Sequence, residues 1–169
     1  MGTDINAAFG HRCEFPPTEQ LARAMCAGIK PVEPIFQNDW SVNPEYSFLR
    51  LVTVQASGLR IYFGPRAAMI STGYGWPYSE EDVNKREPVV SAVISIARFF
   101  GSPCAIFLPD DIEPWLDVDR WISDGANIED VRSRLAQIKA PSNGFRGAIK
   151  QSSDFWEVDG YSIEDLSCD

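Results

Sequence analysis

Residues 79–116 read SEEDVNKREPVVSAVISIARFFGSPCAIFLPDDIEPWL, and this stretch carries the strongest structural signal in the chain. Ser79 stands three residues before Asp82, a spacing that resembles a helix capping box. Apolar residues then recur at helical spacing over 89–100, which predicts a largely buried helix. Gly101 follows directly, and glycine is the residue that most often ends a helix. We therefore expect a capped, buried helix at the centre of the fold.

Pro88 leaves the start of this helix open to two interpretations. Either a first turn or two ends at Glu87 and the main helix begins with Pro88 at its first position, or one helix is kinked there. After a break at 101–103, the apolar run Cys104–Leu108 predicts a short buried strand covered by the helix. Acidic turn residues follow this strand.

Strand patterns before this stretch predict most of the sheet. Ser47–Val54 and Leu59–Phe63 are rich in β-branched and bulky apolar residues, and the turn at 56–58 between them predicts a hairpin. Ala67–Thr72 adds a third strand to this meander. Together with Cys104–Leu108 they predict an α+β fold, mainly an antiparallel sheet of about four strands packed against helices.

The chain before the predicted sheet contains one helix between two irregular segments. A length of 169 residues suits a single globular domain over 1–169. We expect residues 1–17 to form an irregular arm, after which Thr18 caps a short helix that ends at Gly28. The span 30–44 holds three prolines and few periodic apolar residues, which predicts a connector on the surface.

Two shorter helices and a docked tail complete the predicted domain. Residues 112–118 predict a short helix around Trp115, and Asn127 is placed to cap a final amphipathic helix. The predicted apolar face of that helix consists of Ile128, Val131, Leu135 and Ile138. The tail from residue 142 carries several aromatic residues among its acids, so we expect part of it to dock on the core.

The net charge limits the classes of partner. Twenty-four acidic and 15 basic residues give a formal charge of −9. This balance repels nucleic-acid phosphates and anionic lipid, so neither nucleic acid nor a membrane is an expected partner. A protein with a basic surface is the favoured one.

The cysteines and the single histidine also bear on function. Four cysteines are scattered without a C-x-x-C pair, and one histidine cannot complete a zinc site of ordinary spacing. We expect no metal and no cofactor. The first residues lack the charged and apolar regions of a signal peptide, and no long apolar run occurs, so we expect a cytoplasmic protein with reduced thiols.

Two groups of residues are candidates for catalysis. Asp110 and Asp111 follow the buried strand, where an enzyme can hold a metal or an acid-base pair; the alternative is that they cap nearby helices and face water. His11 is the sole imidazole, so a Cys-His or Ser-His pair would need it. It lies in the predicted arm before Arg12 and Cys13, without a nucleophile-elbow motif. We assign no catalytic residue.

Acidic residues cluster in two runs that also contain aromatic side chains. Residues 110–130 hold eight acids and one Arg, and 154–169 hold six acids and no base. Either these are solvated faces whose rings point inward, or they form a docking surface in which carboxylates steer a basic partner. The aromatic loop 73–78 likewise either packs on the core or binds a partner. The predicted partner-binding residues are Tyr74, Trp76, Tyr78, Asp110, Asp111, Glu113, Trp115, Asp117, Asp119, Asp154, Trp156, Glu157 and Asp159.

In general character the chain resembles the immunity proteins of bacterial polymorphic toxins, including those of type VI and contact-dependent secretion systems. The resemblance is carried by the overall acidity, by a short sheet followed by the helical stretch Glu80–Phe100, by the segment FLPDDIEPWL at 107–116 and by the aromatic, acidic tail.

This resemblance implies a protein that binds one cognate toxin acting in the cytoplasm and neutralises it by occluding its basic active site. Two other functions stay open. One is a small metal-assisted hydrolase that uses Asp110 and Asp111, and the other is a secretion adaptor that binds an effector without inhibiting it.

Overall fold

The computed structural model describes residues 6–33, 35–43, 51–72, 83–108, 113–141 and 161–167, with the backbone alone over 83–86 and 113–116. Within these ranges the chain forms seven strands and four helices. In chain order they are β1 (Asn6–Gly10), α1 (Glu19–Gly28), β2 (Ser41–Asn43), β3 (Val52–Ala56), β4 (Leu59–Phe63), β5 (Ala67–Thr72), α2 (Val83–Phe99), β6 (Cys104–Leu108), α3 (Glu113–Ser123), α4 (Ile128–Ile138) and β7 (Ser162–Asp165).

The strands of the described ranges form one antiparallel sheet in the order β2-β3-β4-β5-β1-β6-β7. The predicted α+β class and the antiparallel sheet packed on helices are confirmed, but the sheet has seven strands where about four were expected. The strand β1 lies in the interior of the sheet, where Phe9 is the register partner of both Ala68 on β5 and Ala105 on β6.

Helices cover both faces of the sheet. Apolar side chains of α1 and α2 pack with strand residues such as Phe9 and Ile61 on one face. Those of α3 and α4 pack with Ala8 and Ile106 on the other face. Because alternate residues of a strand point to opposite faces, the strands between two helical layers must be apolar on both sides. All five residues of β6 are accordingly buried.

The prediction of an irregular arm over 1–17 is wrong for Asn6–Gly10, which forms the interior strand β1. Ala7, Ala8 and Phe9 are fully buried. A strand buried on both faces shows no polar-apolar alternation, and this one is short and lacks β-branched residues, so its sequence resembles a loop. Gly10 is required because a Cβ at this position would come within 2.9 Å of Cγ2 of Ile128.

The predicted surface connector over 30–44 is also wrong in part. Ser41–Asn43 forms the edge strand β2. Ile35, Phe36 and Trp40 are buried in the core beneath α1 and α2, and the rings of Phe36 and Trp40 lie 5.5 Å apart. The prolines break the periodicity of this span, yet they do not keep its apolar side chains out of the core.

The C-terminal strand confirms that part of the tail docks. β7 pairs with β6, with Ile163 opposite Ile106, and so closes the sheet at the edge opposite β2. The predicted first hairpin strand is described from Leu51 onward, and its residues 47–50 lie outside the described ranges.

The central helix runs through Pro88 without a break, so the single-helix interpretation is the correct one. The helix ends at Phe99, and Gly101, with a φ of +68°, terminates it as predicted. The N–H of Gly101 donates to the carbonyl of Arg98 at 2.9 Å, and the N–H of Ser102 donates to that of Ala97 at 3.0 Å. This pair of bonds is the Schellman arrangement, in which a left-handed glycine satisfies the last carbonyls. The predicted capping box at Ser79 lies outside the described ranges.

The last two helices agree with the sequence only in part. α3 extends to Ser123, five residues beyond the predicted end at 118. Asn127 caps α4 as expected, because its Oδ1 accepts from the N–H of Asp130 at 2.9 Å and the Asp130 carboxylate accepts from the N–H of Asn127 at 3.0 Å. Ile138, predicted on the apolar face, is 50% exposed. No helix in the described ranges combines the length and apolar character needed to span a bilayer.

Two phenylalanines near the N-terminus test the placement of β1. Phe9 is fully buried, with its ring 5.2 Å from that of Phe100, whereas Phe15 is only half-buried. We expect Phe9→Ala to lower the free energy of unfolding by about 3–5 kcal/mol and Phe15→Ala to lower it by less than about 2 kcal/mol. Urea denaturation of both variants measures this difference, and small, equal losses would contradict an interior β1.

Candidate functional site

Most of the predicted partner-binding residues lie where the structure gives no side chain. Asp117 and Asp119 are described fully, and Glu113 and Trp115 lie in the first turn of α3 with the backbone alone described. The others lie outside the described ranges and stay predictions: Tyr74, Trp76, Tyr78, Asp110, Asp111, Asp154, Trp156, Glu157 and Asp159.

The two fully described acids of α3 have different environments. Asp117 is exposed, with its carboxylate 3.9 Å from the guanidinium of Arg120 one turn later. Asp119 is half-buried, and its Oδ1 has no hydrogen-bonding partner within the described part of the chain. Burial raises the pKa of Asp119, because desolvation disfavours the charged form. Asp117 therefore fits a solvated docking surface, whereas Asp119 is packed into the flank of the helix.

The described ends of the two acidic runs lie on the same side of the sheet. Asp165 of β7 lies 3.1 Å from the guanidinium of Arg132 on α4. Tyr161, which begins the described part of the second run, donates from its hydroxyl to the carbonyl of Lys139 at 2.9 Å. Its ring is buried in the same cluster as Val118 of α3. The described ends of both runs thus lie on the α3/α4 side. We call the exposed acids on this side the acidic face: Asp117, Asp124, Glu129 and Asp165.

A second arrangement was not predicted. A hollow of about 510 Å³ opens where β1 ends, bounded by the turn between β4 and β5, by the end of α2 and by the first turn of α4. His11 and Cys13 line this hollow. His11 is 7% exposed, and Cys13 is half-buried.

The hydrogen bonds of His11 define its tautomer. Its Nε2 lies 2.9 Å from the carbonyl oxygen of Gly64, and a carbonyl can only accept, so Nε2 carries the hydrogen. In the neutral ring Nδ1 then holds a lone pair. The sulfur of Cys13 lies 3.1 Å from this Nδ1, so the thiol donates to it.

The packing around the imidazole keeps the pair neutral. The ring lies edge-on to Phe63 at 5.1 Å and to Phe100 at 6.4 Å. Burial lowers the pKa of His11, although backbone hydrogen bonds at Gly64 and Ala67 act in the opposite direction. Burial also raises the pKa of Cys13. Both shifts favour a neutral thiol beside a neutral imidazole, which is the resting state of a general-base pair.

Packing and hydrogen bonds hold Gly64, the acceptor for Nε2 of His11, and Gly10, the residue before His11. A Cβ at Gly64 would overlap the carbonyl oxygen of Ile122 on α3, so only glycine fits there, and its N–H donates to Ala67 at 2.9 Å. On the other side the N–H of Gly10 donates to Oγ of Ser102 at 2.8 Å, and that hydroxyl donates to the carbonyl of Cys104 at 2.6 Å. Ser102 thereby ties the end of β1 to α2 and β6.

The sequence did hold a signal for this pair. Side chains two residues apart in an extended chain point to the same side, and His11 and Cys13 have that spacing. The signal was missed because the segment was predicted to be an irregular arm, with no neighbouring strand that would hold the two side chains in a defined position.

Comparison of the chain with protein-family models, with curated proteins and with solved structures gives no match. Within the described ranges no three His, Cys, Asp or Glu side chains come together as a metal ion would require. The candidate sites therefore rest on the geometry of this chain alone: the acidic face and the hollow with His11 and Cys13.

The lowered pKa of His11 predicts a pH-dependent stability. Below the ordinary value of 6.5 the unfolded chain takes up a proton that the folded chain resists, so stability falls as the pH drops through that value. The charged or titratable residues around the hollow are Cys13, Arg12, Arg66 and Glu129. When the pH falls from 7.5 to 5.5, we expect the free energy of unfolding to drop by up to about 1.4 kcal/mol more in the wild-type protein than in His11→Gln. Urea denaturation at both pH values measures this, and equal losses would contradict a buried neutral imidazole.

Proposed function

We propose that this chain is an immunity protein of the bacterial polymorphic-toxin type, which binds a cognate toxin and neutralises it by occluding a basic active site. The observation that carries this proposal is that the described ends of the two acidic runs lie on the same side of the sheet. Asp117 on α3 and Asp165 on β7 are far apart in sequence, yet both belong to the acidic face.

The electrostatics of the acidic face suit a basic partner. The chain has a net charge of −9, and Asp117, Asp124, Glu129 and Asp165 are exposed. Carboxylates that face solvent steer association with a positively charged surface. In the cleft of an enzyme that handles nucleic acid or nucleotides, they would take the place of the substrate's phosphates.

Arginines interleave with these acids without cancelling them. Arg66, Arg120 and Arg132 pair with Asp130, Asp117 and Asp165, and the side chains involved are between 40% and 70% exposed. Ion pairs so open to solvent contribute only about 0–1 kcal/mol each. A partner with stronger positive charge can therefore compete for the carboxylates.

Affinity would come mainly from buried aromatic side chains, which dominate hot spots at protein interfaces. Trp115 and Trp156 are the proposed anchors, and the loop residues Tyr74, Trp76 and Tyr78 are proposed to extend the contact. The proposed site of action is the cytoplasm, on a toxin directed at nucleic acid, nucleotides or translation.

Charge reversal on the acidic face tests the proposal. We expect the gene to lie beside one that encodes a toxin domain. Expression of that domain in a bacterial host should arrest growth, and the chain should restore it. In the purified complex, Asp117→Lys with Asp124→Lys should lower the association rate about 10-fold at low salt and much less at high salt.

The matched control is Glu19→Lys with Glu33→Lys, which changes the net charge equally at exposed positions of α1 and the segment after it. It should leave the association rate near the wild-type value. Equal slowing by both pairs would show that overall charge, not the acidic face, drives binding. A complex in which the toxin stays active would indicate the secretion adaptor, and a divalent-metal thermal shift lost in Asp110→Asn would indicate the hydrolase.

A further inference from the structure

The hollow at the end of β1 has the parts of a nucleophilic site that the proposed partner binding does not use. We propose that Cys13 and His11 form a nucleophilic pair that accepts the acyl group of a small anionic ester or thioester bound in this hollow. Cys13 lies in its wall, half-buried, and His11 lies behind the sulfur with its Nδ1 at 3.1 Å.

The hydrogen bonds of His11 set the direction in which the thiol proton moves. Because Nε2 of His11 donates to Gly64 at 2.9 Å, Nδ1 is the only ring position that can take the thiol proton. The carbonyl of Gly64 also stabilises the imidazolium that forms, as an acceptor on the far nitrogen does in other base-nucleophile pairs. Gly64 is itself fixed against α3, so the imidazole is oriented before any substrate binds.

The donors proposed for developing negative charge are backbone amides at the start of α4. Ile128 and Glu129, in the first turn of α4, line the hollow. The backbone N–H groups of these positions have no acceptor within the helix, and they lie at the positive end of its dipole. Asn127 satisfies the next N–H, that of Asp130. Amides so placed suit the oxyanion of a tetrahedral intermediate.

One exposed guanidinium at the hollow suits an anionic acyl donor. Arg12 and Arg66 line the hollow, opposed by Glu129, in a chain whose net charge is −9. Arg66 is held in place by its Nε, which donates to the carbonyl of Gly125 at 2.6 Å, and by Asp130 at 3.6 Å. Arg12 is exposed and is the guanidinium more open to a ligand's carboxylate or phosphate.

The reaction balances without an oxidant or reductant. The sulfur of Cys13 attacks the carbonyl carbon of the donor while its proton passes to Nδ1 of His11. The bond from that carbon to the leaving oxygen or sulfur then breaks, and Nδ1 returns the proton to the leaving group. The products are S-acylated Cys13 and a free alcohol or thiol.

The chain contains its own control for this chemistry. Cys26 is half-buried like Cys13, but the polar group near its sulfur is the carbonyl of Trp40 at 3.9 Å, which cannot accept a proton for transfer. Cys104 is fully buried, and burial raises the pKa of its thiol to about 11. Cys13 is thus the one described cysteine with a base in reach.

The first experiment measures acylation of each cysteine in the full-length protein by para-nitrophenyl acetate, followed by mass spectrometry of proteolytic peptides. We expect Cys13 to react at least about 10-fold faster than Cys26, a threshold below the roughly 10²–10⁴-fold that a general base typically supplies. His11→Gln should slow the acylation of Cys13 by a similar factor. It should leave the acylation rate of the half-buried Cys26 unchanged, which also shows that the variant is folded. Equal rates at the two cysteines would overturn the proposal.

A second measurement needs no change to the histidine. Because the chain has a single histidine, nitrogen NMR of the labelled protein reports the tautomer of His11 directly. We expect the hydrogen on Nε2 at neutral pH, both in the wild type and in Cys13→Ser. A hydrogen on Nδ1 would leave the thiol without an acceptor and would also overturn the proposal.

The anionic class is tested with the mono-para-nitrophenyl ester of succinate, which carries a carboxylate that the acetate lacks. The preference for succinate over acetate should be about 3-fold greater at Cys13 than at Cys26, a size typical of one exposed charge pair. Arg12→Gln should remove this difference. An equal preference at both cysteines would overturn the anionic class and assign a neutral acyl donor.

Discussion

The insertion of β1 between β5 and β6 is the constraint on which the rest of the structure depends. It joins the meander β2–β5 to the pair β6 and β7, which would otherwise be separate sheets. Its small residues Ala7 and Ala8 are fully buried between helical layers, where larger side chains would force the helices away from the sheet. Its end at Gly10 also fixes the start of the segment that carries His11 and Cys13.

What the sequence could predict is what local signals specify. The hairpin of β3 and β4, the strand β6, the glycine that ends α2 and the cap at Asn127 each depend on neighbouring residues, and each was predicted. β2 is only three residues long, and β1 and β7 pair with strands distant in sequence, which no local pattern reveals. The pairing of His11 with Gly64 spans 53 residues and was hidden for the same reason, whereas the clustering of acids was visible from composition alone.

The acidic face and the hollow adjoin at the start of α4. Arg66 lines the hollow and also contacts Asp130 and the carbonyl of Gly125. Asn127 and Asp130 form the cap of the same helix, and Glu129 belongs to both surfaces. A partner bound to the acidic face would therefore approach the rim of the hollow.

Hydrogen exchange of the backbone amides in β1 tests the central claim most directly. An interior strand with both neighbours in place opens only when the sheet comes apart. The free energy of opening measured at its amides therefore equals the free energy of global unfolding. We predict that the most protected amides of the chain include those of Ala7, Ala8 and Phe9, and that their protection equals that of the amides in β6. Exchange at rates typical of an exposed segment would contradict the interior position of β1 and, with it, the geometry of His11 and Cys13.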